Sequence, residues 1–497
     1  MDNDKNFGFD NDKYLKLQSE QIKNRIHKFG GKLYLEFGGK LFDDYHASRV
    51  LPGFKPNSKI TMLKELKDDA EIVIAINAND IEKNKVRGDS GITYDGEVLR
   101  LIDAFRGNDL YVGSVVLTQF NNQSKALAFE KKLDSIAIKH YRHYPIDGYP
   151  NNIDLIVSDE GYGKNEYIET ERSLIVVTAP GPGSGKIATC LSQLYMDNKK
   201  GINAGYAKFE TFPIWNLPLK HPVNLAYEAA TADLNDVNMI DPYHLDKYGK
   251  IAINYNRDVE IFPVLSEILT LIMGSSPYNS PTDMGVNMAG YCIIDDEIVQ
   301  KAANDEIIRR YYSILCQQRQ DMNKEEEVTK IESIIKQAGL TSDDRPVIKA
   351  ALEKEASTGG PAAAIMLSDG KIITGKTSSL LGAASSMLLN TLKYIANIPD
   401  DILLLSPTVI EPIQDLKINY LGNFNPRLHT DEVLVALAIN AATNDTARRA
   451  MEALNSLRNS EMHSTVILSP VDINTLKKLG INITCEPIYQ TKKLYHK

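Results

Sequence analysis

Runs of apolar residues that end in polar groups recur through residues 1–180. Four are near-continuous and β-branched, EIVIAINANDI (71–81), LYVGSVVLTQF (110–120), IDLIVSD (153–159) and SLIVVT (173–178), and KLYLEFGGKL (32–41) is a shorter one. Such runs are typical of parallel strands buried on both faces, with functional groups at their carboxyl ends. Amphipathic helical segments, beginning with 13–29, lie between them. The alternation predicts a doubly wound, mostly parallel α/β domain over residues 1–235.

The pattern changes to helical periodicity in the middle of the chain. The segments 224–234, 262–273, 295–320 and 324–339 place apolar residues on one helical face, so a helical region is expected over 236–343. Between them lies a turn-rich stretch, 274–290, which favours a loop. Long polar loops usually have a role, so this one is either a substrate or partner contact, with Asp283 a candidate catalytic acid, or a capped helix junction.

A second α/β pattern occupies the C-terminal part, and a separate domain is expected over 344–497. Residues 361–377 (PAAAIMLSDGKIITGKT) are predicted to be two strands joined by an Asp-Gly turn, and 378–398 a helix behind them. DILLLSP, EVLVALAINAAT, TVILSP and INITCEPIY continue the alternation of strand and helix.

Composition narrows the classes of protein that fit. The 497 residues exceed the size of a single core, and the net charge of −9 argues against a nucleic-acid partner. The four cysteines form no C-x-x-C pair, so no zinc site is expected, and no metal-ligating residues are assigned. The N-terminus is polar and acidic, and no apolar run reaches the roughly 18 residues of a membrane span. The sequence therefore predicts a cytoplasmic protein with no membrane partner.

The strongest chemical signal is the loop that follows the run 173–178. TAPGPGSGK passes from a strand through three glycines to Lys186 and a helix over 187–197. Glycines let backbone N–H groups face an anion, the helix start adds unpaired donors, and the lysine adds a charge. The predicted phosphate-binding residues are Gly181, Gly183, Ser184, Gly185, Lys186 and Thr189.

This loop resembles the P-loop of nucleoside triphosphatases, G-x-x-x-x-G-K-[ST], with two departures. Pro180 occupies the position of the first glycine, and Ile187 that of the hydroxyl residue that holds magnesium. Ser184 and Thr189 are nearby hydroxyls that would substitute for it. ATP or another nucleotide is thus the expected cofactor, and the need for magnesium stays open. The alternative is a structural turn with a solvated Lys186.

Two further patterns bear on the chemistry. Asp159 ends an apolar run, and Asn77, Asn79 and Asp80 end another, so Asp159 and Asp80 are candidate carboxylates for placing metal or water at the sheet edge. Residues 370–377 match G-x-x-x-x-G-K-T literally, yet the intervening residues favour a strand after a hairpin turn. We interpret that second match as a coincidence.

Three segments together resemble a bacterial family of proteins of about this length, described only as a domain of unknown function. They are KLYLEFGGKLFDDYHASRVLPGFKPNSKI, TAPGPGSGK and SSPYNSPTDMGVNMAGY. The resemblance implies a P-loop-like N-terminal region, a helical middle and a C-terminal α/β domain, and no reaction. Residues 362–392 also resemble the cytidine-deaminase core, but 381–384 (LGAA) carry neither its zinc ligand nor its catalytic acid, so that resemblance implies a domain without zinc.

The sequence therefore predicts a protein that binds a nucleotide or other phosphorylated small molecule at 181–186, with phosphoryl transfer or hydrolysis as the expected chemistry if it is an enzyme. Two alternatives stay open. One is a non-enzymatic homo-oligomeric scaffold or regulator, and a homo-oligomer is expected in either case. The other is an enzyme with an interdomain site that uses the loop 274–290.

Overall fold

The computed structural model describes residues 7–87, 91–320 and 322–490. The chain forms two compact units, residues 1–303 and 304–497. The division lies inside the helix Asp296–Arg319, so the helical stretch expected over 236–343 is shared between the two units.

The first unit is built on a seven-stranded sheet in which every neighbouring pair is parallel. Its strands are β1 (Leu33–Phe37), β2 (Ala70–Asn77), β3 (Tyr111–Thr118), β4 (Lys139–Arg142), β5 (Leu174–Thr178), β6 (Gly205–Phe209) and β9 (Gly285–Val286). Their order across the sheet is β4-β3-β2-β5-β1-β6-β9. A separate antiparallel pair is formed by β7 (Asn238–Ile240) and β8 (Ile253–Tyr255).

Helices connect these strands. They are α1 (Asn11–Lys28), α2 (Tyr45–Val50), α3 (Ser58–Glu65), α4 (Ala78–Glu82), α5 (Tyr94–Arg106), α6 (Ser124–Ser135), α7 (Ile153–Ile156), α8 (Lys186–Lys199), α9 (Pro222–Ala230), α10 (Pro242–Tyr248), α11 (Asn256–Met273), α12 (Pro281–Met284) and the start of α13 (Asp296–Arg319). Short 3₁₀ turns occupy Tyr162–Lys164, Ala232–Leu234 and Ala289–Cys292.

The central strands are apolar because helices cover both faces of the sheet. Every residue of β1 and β5 is buried, as are seven of the eight residues of β2. After β2 the chain moves outward to β3, whereas after β5 it crosses β1 to reach β6. Since crossovers of this kind are right-handed, α5 and α8 lie on opposite faces of the sheet. The neighbours β2 and β5 therefore flank a topological switch point, where open α/β sheets have their ligand crevice.

One predicted strand of the first unit is wrong. IDLIVSD is not a strand, because Asn152 caps the short helix α7 by accepting from the backbone N–H of Leu155 (3.4 Å). The stretch 274–290 is mostly turns around the short helix α12 and the edge strand β9, so it contains the capped helix junction that the sequence left as an alternative. Ser280 caps α12, its hydroxyl accepting from the N–H of Asp283 (3.1 Å). The four apolar residues of IDLIVSD are too few to favour a strand, whereas the preceding Asn152 supplies a helix cap.

The second unit has its own mixed sheet, in the order β11-β10-β12-β13. Its strands are β10 (Ala362–Met366), β11 (Ile372–Lys376), β12 (Glu461–Ser464) and β13 (Asn482–Cys485). Its helices after α13 are α14 (Glu325–Ala338), α15 (Pro346–Thr358), α16 (Ala383–Ile395), α17 (Pro407–Asp415), a π-helical segment (Leu416–Tyr420), α18 (Thr430–Ala441), α19 (Asp445–Glu452) and α20 (Pro470–Lys478), with 3₁₀ turns at Ser342–Asp344 and Ala453–Leu457.

The hairpin predicted at 361–377 is confirmed. β10 and β11 pair antiparallel, Met366 opposite Ile372, around a turn in which Gly370 has φ +81°. Gly375, one of the glycines of the G-x-x-x-x-G-K-T match, lies inside β11, where an added Cβ would come within 2.1 Å of the Met387 backbone nitrogen. That glycine therefore permits α16 to pack closely on the hairpin.

The run DILLLSP contains no strand, and β12 precedes TVILSP instead of coinciding with it. Across the described residues of both units, no helix combines the length and apolar character needed to cross a bilayer.

Candidate functional site

An open pocket of about 440 Å³ lies at the carboxyl ends of the central strands of the first unit. Its walls come from Glu36 of β1, Asn77 at the end of β2, Thr118 and Gln119 at the end of β3, Tyr149 after β4, and residues 183–188 after β5. The pocket therefore occupies the switch point between β2 and β5, and the loop singled out in the sequence forms one side of it.

The loop presents unpaired backbone donors. Gly183 and Gly185 adopt the left-handed region, with φ of 76° and 84°. The first bond of α8 runs from the N–H of Thr189 to the carbonyl of Gly185 (2.9 Å). Within the described part of the chain, the N–H groups of residues 183–188 donate to no protein acceptor. They are free to receive an anion at the positive end of the helix dipole.

Lys186 faces a carboxylate at the bottom of the pocket. Its Nζ lies 4.0 Å from Oε1 of Glu36, and the two side chains are only 18% and 9% exposed. The other oxygen of Glu36, Oε2, accepts from the hydroxyl of Tyr206 (2.8 Å). Both side chains line the pocket, and within the described part of the chain Oε1 of Glu36 accepts no hydrogen bond.

Neighbouring strands hold the loop in place. The hydroxyl of Thr118 donates to the carbonyl of Ser184 (2.8 Å), and the hydroxyl of Ser184 donates to the carbonyl of Gly181 (2.9 Å). An added Cβ on Gly185 would meet Thr118 at 3.0 Å, whereas one on Gly183 would meet no atom within 4 Å. The loop conformation is therefore fixed at its helical end, where β3 packs on it.

The negative charge of Glu36 contributes to the raised pKa values of two neighbouring groups. Burial, and after it the charge of Glu36, raises the pKa of the Tyr149 phenol. Burial first and Glu36 second also hold the pKa of the Cys190 thiol, one turn along α8 from Lys186, well above its usual value. Cys190 is thus a neutral, buried thiol and is not an activated nucleophile.

Two of the predicted phosphate-binding hydroxyls point inward. Thr189 is fully buried and its Oγ1 donates to the carbonyl of Gly185 (3.0 Å), while Ser184 bonds within the loop. Neither hydroxyl replaces the one that Ile187 lacks.

The three candidate carboxylates lie elsewhere in the first unit. Asp159 is 72% exposed and pairs with Lys199 at the far end of α8. At 1.5 Å per residue, the Cα atoms of Lys186 and Lys199 are about 20 Å apart along the helix. Asp80 pairs with Lys85 (3.3 Å), beside the pocket but outside its lining. Asp283 accepts from the hydroxyl of Tyr248 (2.8 Å) in the junction around α12.

Sequence reasoning missed Glu36, Thr118, Gln119 and Tyr149. Glu36 had a detectable signal, because an acid inside the apolar run LYLEF is costly to bury without a purpose. Thr118 and Gln119 end a predicted strand as Asn77 does, so the same rule applied to β3 would have found them. Tyr149 lies in a loop after an edge strand and had no comparable signal. Among the described residues, no group of three or more His, Cys, Asp or Glu side chains is arranged to hold a metal ion.

Fold and pocket together define a two-unit α/β protein with a polar crevice at the switch point of a parallel sheet. A family model described as domain of unknown function DUF1846, N-terminal, matches residues 7–339, and its C-terminal counterpart matches 343–495. The chain is similar to a UPF0371 protein of Streptococcus uberis, 57% identical over 493 residues that cover 99% of this chain and 100% of that relative. A UPF0371 protein of Streptococcus pyogenes serotype M5 is 58% identical over the same extent. The chain belongs to the DUF1846 family, which confirms the resemblance drawn from the sequence.

Proposed function

We propose that the first unit binds the phosphate group of a phosphorylated small molecule in the pocket at residues 183–188. The observation that carries the proposal is the coincidence of unpaired backbone N–H groups with the ammonium of Lys186 in one crevice. Amide donors at a helix start and a single lysine are together the ordinary receptor for such a group. The likeness to the P-loop of nucleotide-binding proteins supports the proposal, since strand, loop and helix follow in that order.

The same pocket suggests how a reaction would proceed. If the bound phosphate is transferred or hydrolysed, Glu36 is the carboxylate in the pocket lining that would accept the proton of the attacking hydroxyl or water. Asp159 is too distant for that role. Because Ile187 stands where a hydroxyl would hold magnesium, we propose binding that depends on amides and Lys186 instead of a loop-bound metal.

Calorimetric titration with ATP, GTP and a set of sugar phosphates tests the proposal. Replacing Lys186 by Gln should weaken whichever ligand binds by about ten- to hundredfold, the usual effect of a lost charged hydrogen bond. Lys199→Gln is the matched control, a lysine on the same helix but outside the pocket, and it should leave affinity unchanged. Equal affinity in the two variants, or no binding by the wild type at millimolar concentration, would contradict the proposal.

We further propose a cytoplasmic location, since all four cysteines are free thiols. For the second unit, the hairpin β10–β11 followed by α16 supports the likeness to a deaminase core without its chemistry, because residues 381–384 offer no zinc ligand. We propose a binding or assembly role for it.

A specific surface favours self-association as a second function. Six apolar side chains of the second unit are at least 60% exposed: Leu403, Tyr420, Leu421, Phe424, Val435 and Ile439. Val435 and Ile439 lie one turn apart on α18, and a Lys417–Glu432 ion pair (2.7 Å) ties the π-helical segment to the same helix. Exposed apolar side chains on linked elements favour an interface, and we propose a second copy of the chain as its partner. In light scattering, Val435→Glu with Ile439→Glu should lower the mass, whereas Leu271→Glu in the first unit should not.

A further inference from the structure

We infer that the ligand of the pocket is a sugar phosphate, a phosphorylated polyol carrying one phosphate group, and not a nucleoside triphosphate. The inference rests on the proposed phosphate site and adds the identity of the rest of the ligand. It is argued from the chemistry of the walls that face residues 183–188.

Side-chain amides line the mouth of the pocket. Asn79 uses its Oδ1 to accept from Gln123 (2.9 Å), which leaves its Nδ2 as a donor. Asn77 caps α4 through Oδ1 (2.9 Å) and makes only a long contact from Nδ2 to the carbonyl of Gly183 (3.4 Å). Gln119 is exposed, and within the described residues its amide group makes no hydrogen bond. An amide offers a donor and an acceptor side by side, which matches the neighbouring hydroxyls of a sugar.

The carboxylate of Glu36 limits how much negative charge the pocket accepts. Its Oε1 lies 4.0 Å from Lys186 Nζ, so the lysine of the described pocket lining faces both this carboxylate and the bound phosphate. A triphosphate would bring two further phosphate groups toward Glu36, and like charges at such distances repel strongly in a partly buried site. A sugar hydroxyl, in contrast, donates a hydrogen bond to Oε1.

The pocket also lacks the walls of a nucleobase site. Base and drug-sized ligands are usually enclosed by several aromatic and apolar side chains. Among the described residues, the lining has one aromatic ring, Tyr149, and two aliphatic side chains, Ile187 and Ala188. A single ring is sufficient to cover the C–H face of one sugar, while the volume of about 440 Å³ holds a hexose phosphate.

Competition calorimetry on the full-length protein tests this inference. The probes are glucose 6-phosphate, mannose 6-phosphate, fructose 6-phosphate and ribose 5-phosphate, compared with inorganic phosphate, phenyl phosphate and ATP. At least one sugar phosphate should bind about tenfold more tightly than inorganic phosphate, as expected for one or two added hydrogen bonds and a ring contact. The affinities of ATP and phenyl phosphate should exceed that of inorganic phosphate by a smaller factor.

Two variants locate the sugar contacts. Gln119→Ala and Tyr149→Leu should each weaken the preferred sugar phosphate about three- to tenfold while leaving inorganic phosphate unchanged. Asn121→Ala, an exposed amide two residues beyond Gln119, is the control and should change neither.

The outcomes separate the two claims. The inference is overturned if inorganic phosphate binds but no sugar phosphate binds more tightly than it does. It is also overturned if ATP or phenyl phosphate binds more tightly than every sugar phosphate. Either result leaves the phosphate site itself intact. Unchanged sugar phosphate affinity in both Gln119→Ala and Tyr149→Leu also overturns it. Inorganic phosphate that fails to bind the wild type removes the phosphate site itself.

Discussion

The carboxylate oxygen Oε1 of Glu36 lies 4.0 Å from the ammonium of Lys186, at the bottom of a crevice between the carboxyl ends of parallel strands. The two residues are 150 positions apart in sequence, and β1 and β5 bring them together as neighbours in the sheet. The pair has opposite effects on an incoming anion, since Lys186 attracts it and Glu36 repels it. Their balance sets how much charge the pocket holds.

Removing the charge of Glu36 should therefore strengthen anion binding. Glu36→Gln keeps the shape and an acceptor for Tyr206 but abolishes the repulsion, so inorganic phosphate should bind on the order of tenfold more tightly. Titration calorimetry measures this, with Glu169→Gln, an exposed acid, as the control. Weaker phosphate binding in Glu36→Gln would show that the carboxylate is needed to hold Lys186 in place.

Two glycines of the loop have similar backbone angles but different surroundings, which makes them a matched pair. Gly183→Ala should lower the free energy of unfolding by about 1 kcal/mol, because alanine is strained in the left-handed backbone region but its Cβ meets no other atom. Gly185→Ala should cost about 1–3 kcal/mol more, since its Cβ also presses on Thr118 at 3.0 Å. Urea unfolding of both variants gives the difference. Equal losses would mean that Thr118 yields, and that the loop is not fixed by β3.

The sequence pattern and the structure make different predictions for Asp159. Since Asp159 lies at the other end of α8, Asp159→Asn should leave the affinity for inorganic phosphate unchanged, although it loses the ion pair with Lys199. An exposed ion pair contributes little, so stability should change by less than about 1 kcal/mol. Calorimetry and urea unfolding provide both values, and a severalfold loss of phosphate affinity would place Asp159 back among the candidate site residues.

A histidine–aspartate pair should make the stability of the second unit depend on pH. His429 Nδ1 lies 2.9 Å from Asp472 Oδ2, and this hydrogen bond raises the pKa of His429 above its usual 6.5. A raised folded-state pKa contributes stability that is complete below 6.5 and is lost as the pH rises through the folded value. The wild type should therefore lose stability above pH 6.5 relative to Asp472→Asn.

Urea unfolding at several pH values measures that difference. His27→Gln, an exposed histidine of α1, is the control and should parallel the wild type. A constant difference between the wild type and Asp472→Asn from pH 5.5 to 8.5 would show that the pair does not titrate with folding.

The parts of the fold that were predictable have strong local patterns. β2, β3 and β5 are apolar runs long enough to identify, and the hairpin β10–β11 has its Asp-Gly turn. IDLIVSD failed because four apolar residues fit a helical turn as well as a strand, and Asn152 decided between them. The loop at 183–186 was visible because its two glycines and the lysine lie within four residues that follow a strand. Glu36 had a local signal as an acid inside an apolar run, but its place beside Lys186 depends on the order of strands across the sheet, which brings β1 beside β5.

The central claim is that backbone N–H groups of the loop receive a phosphate. Selective ¹⁵N labelling of the 31 glycines gives a spectrum in which Gly183 and Gly185 are assigned by substitution and followed during titration with inorganic phosphate. The account predicts that these two amide signals shift progressively and saturate, and that in Lys186→Gln the same shifts require about ten- to hundredfold more phosphate. If both signals stay unmoved while phosphate binds, or shift at the same phosphate concentrations in Lys186→Gln, the anion lies elsewhere and the account is contradicted.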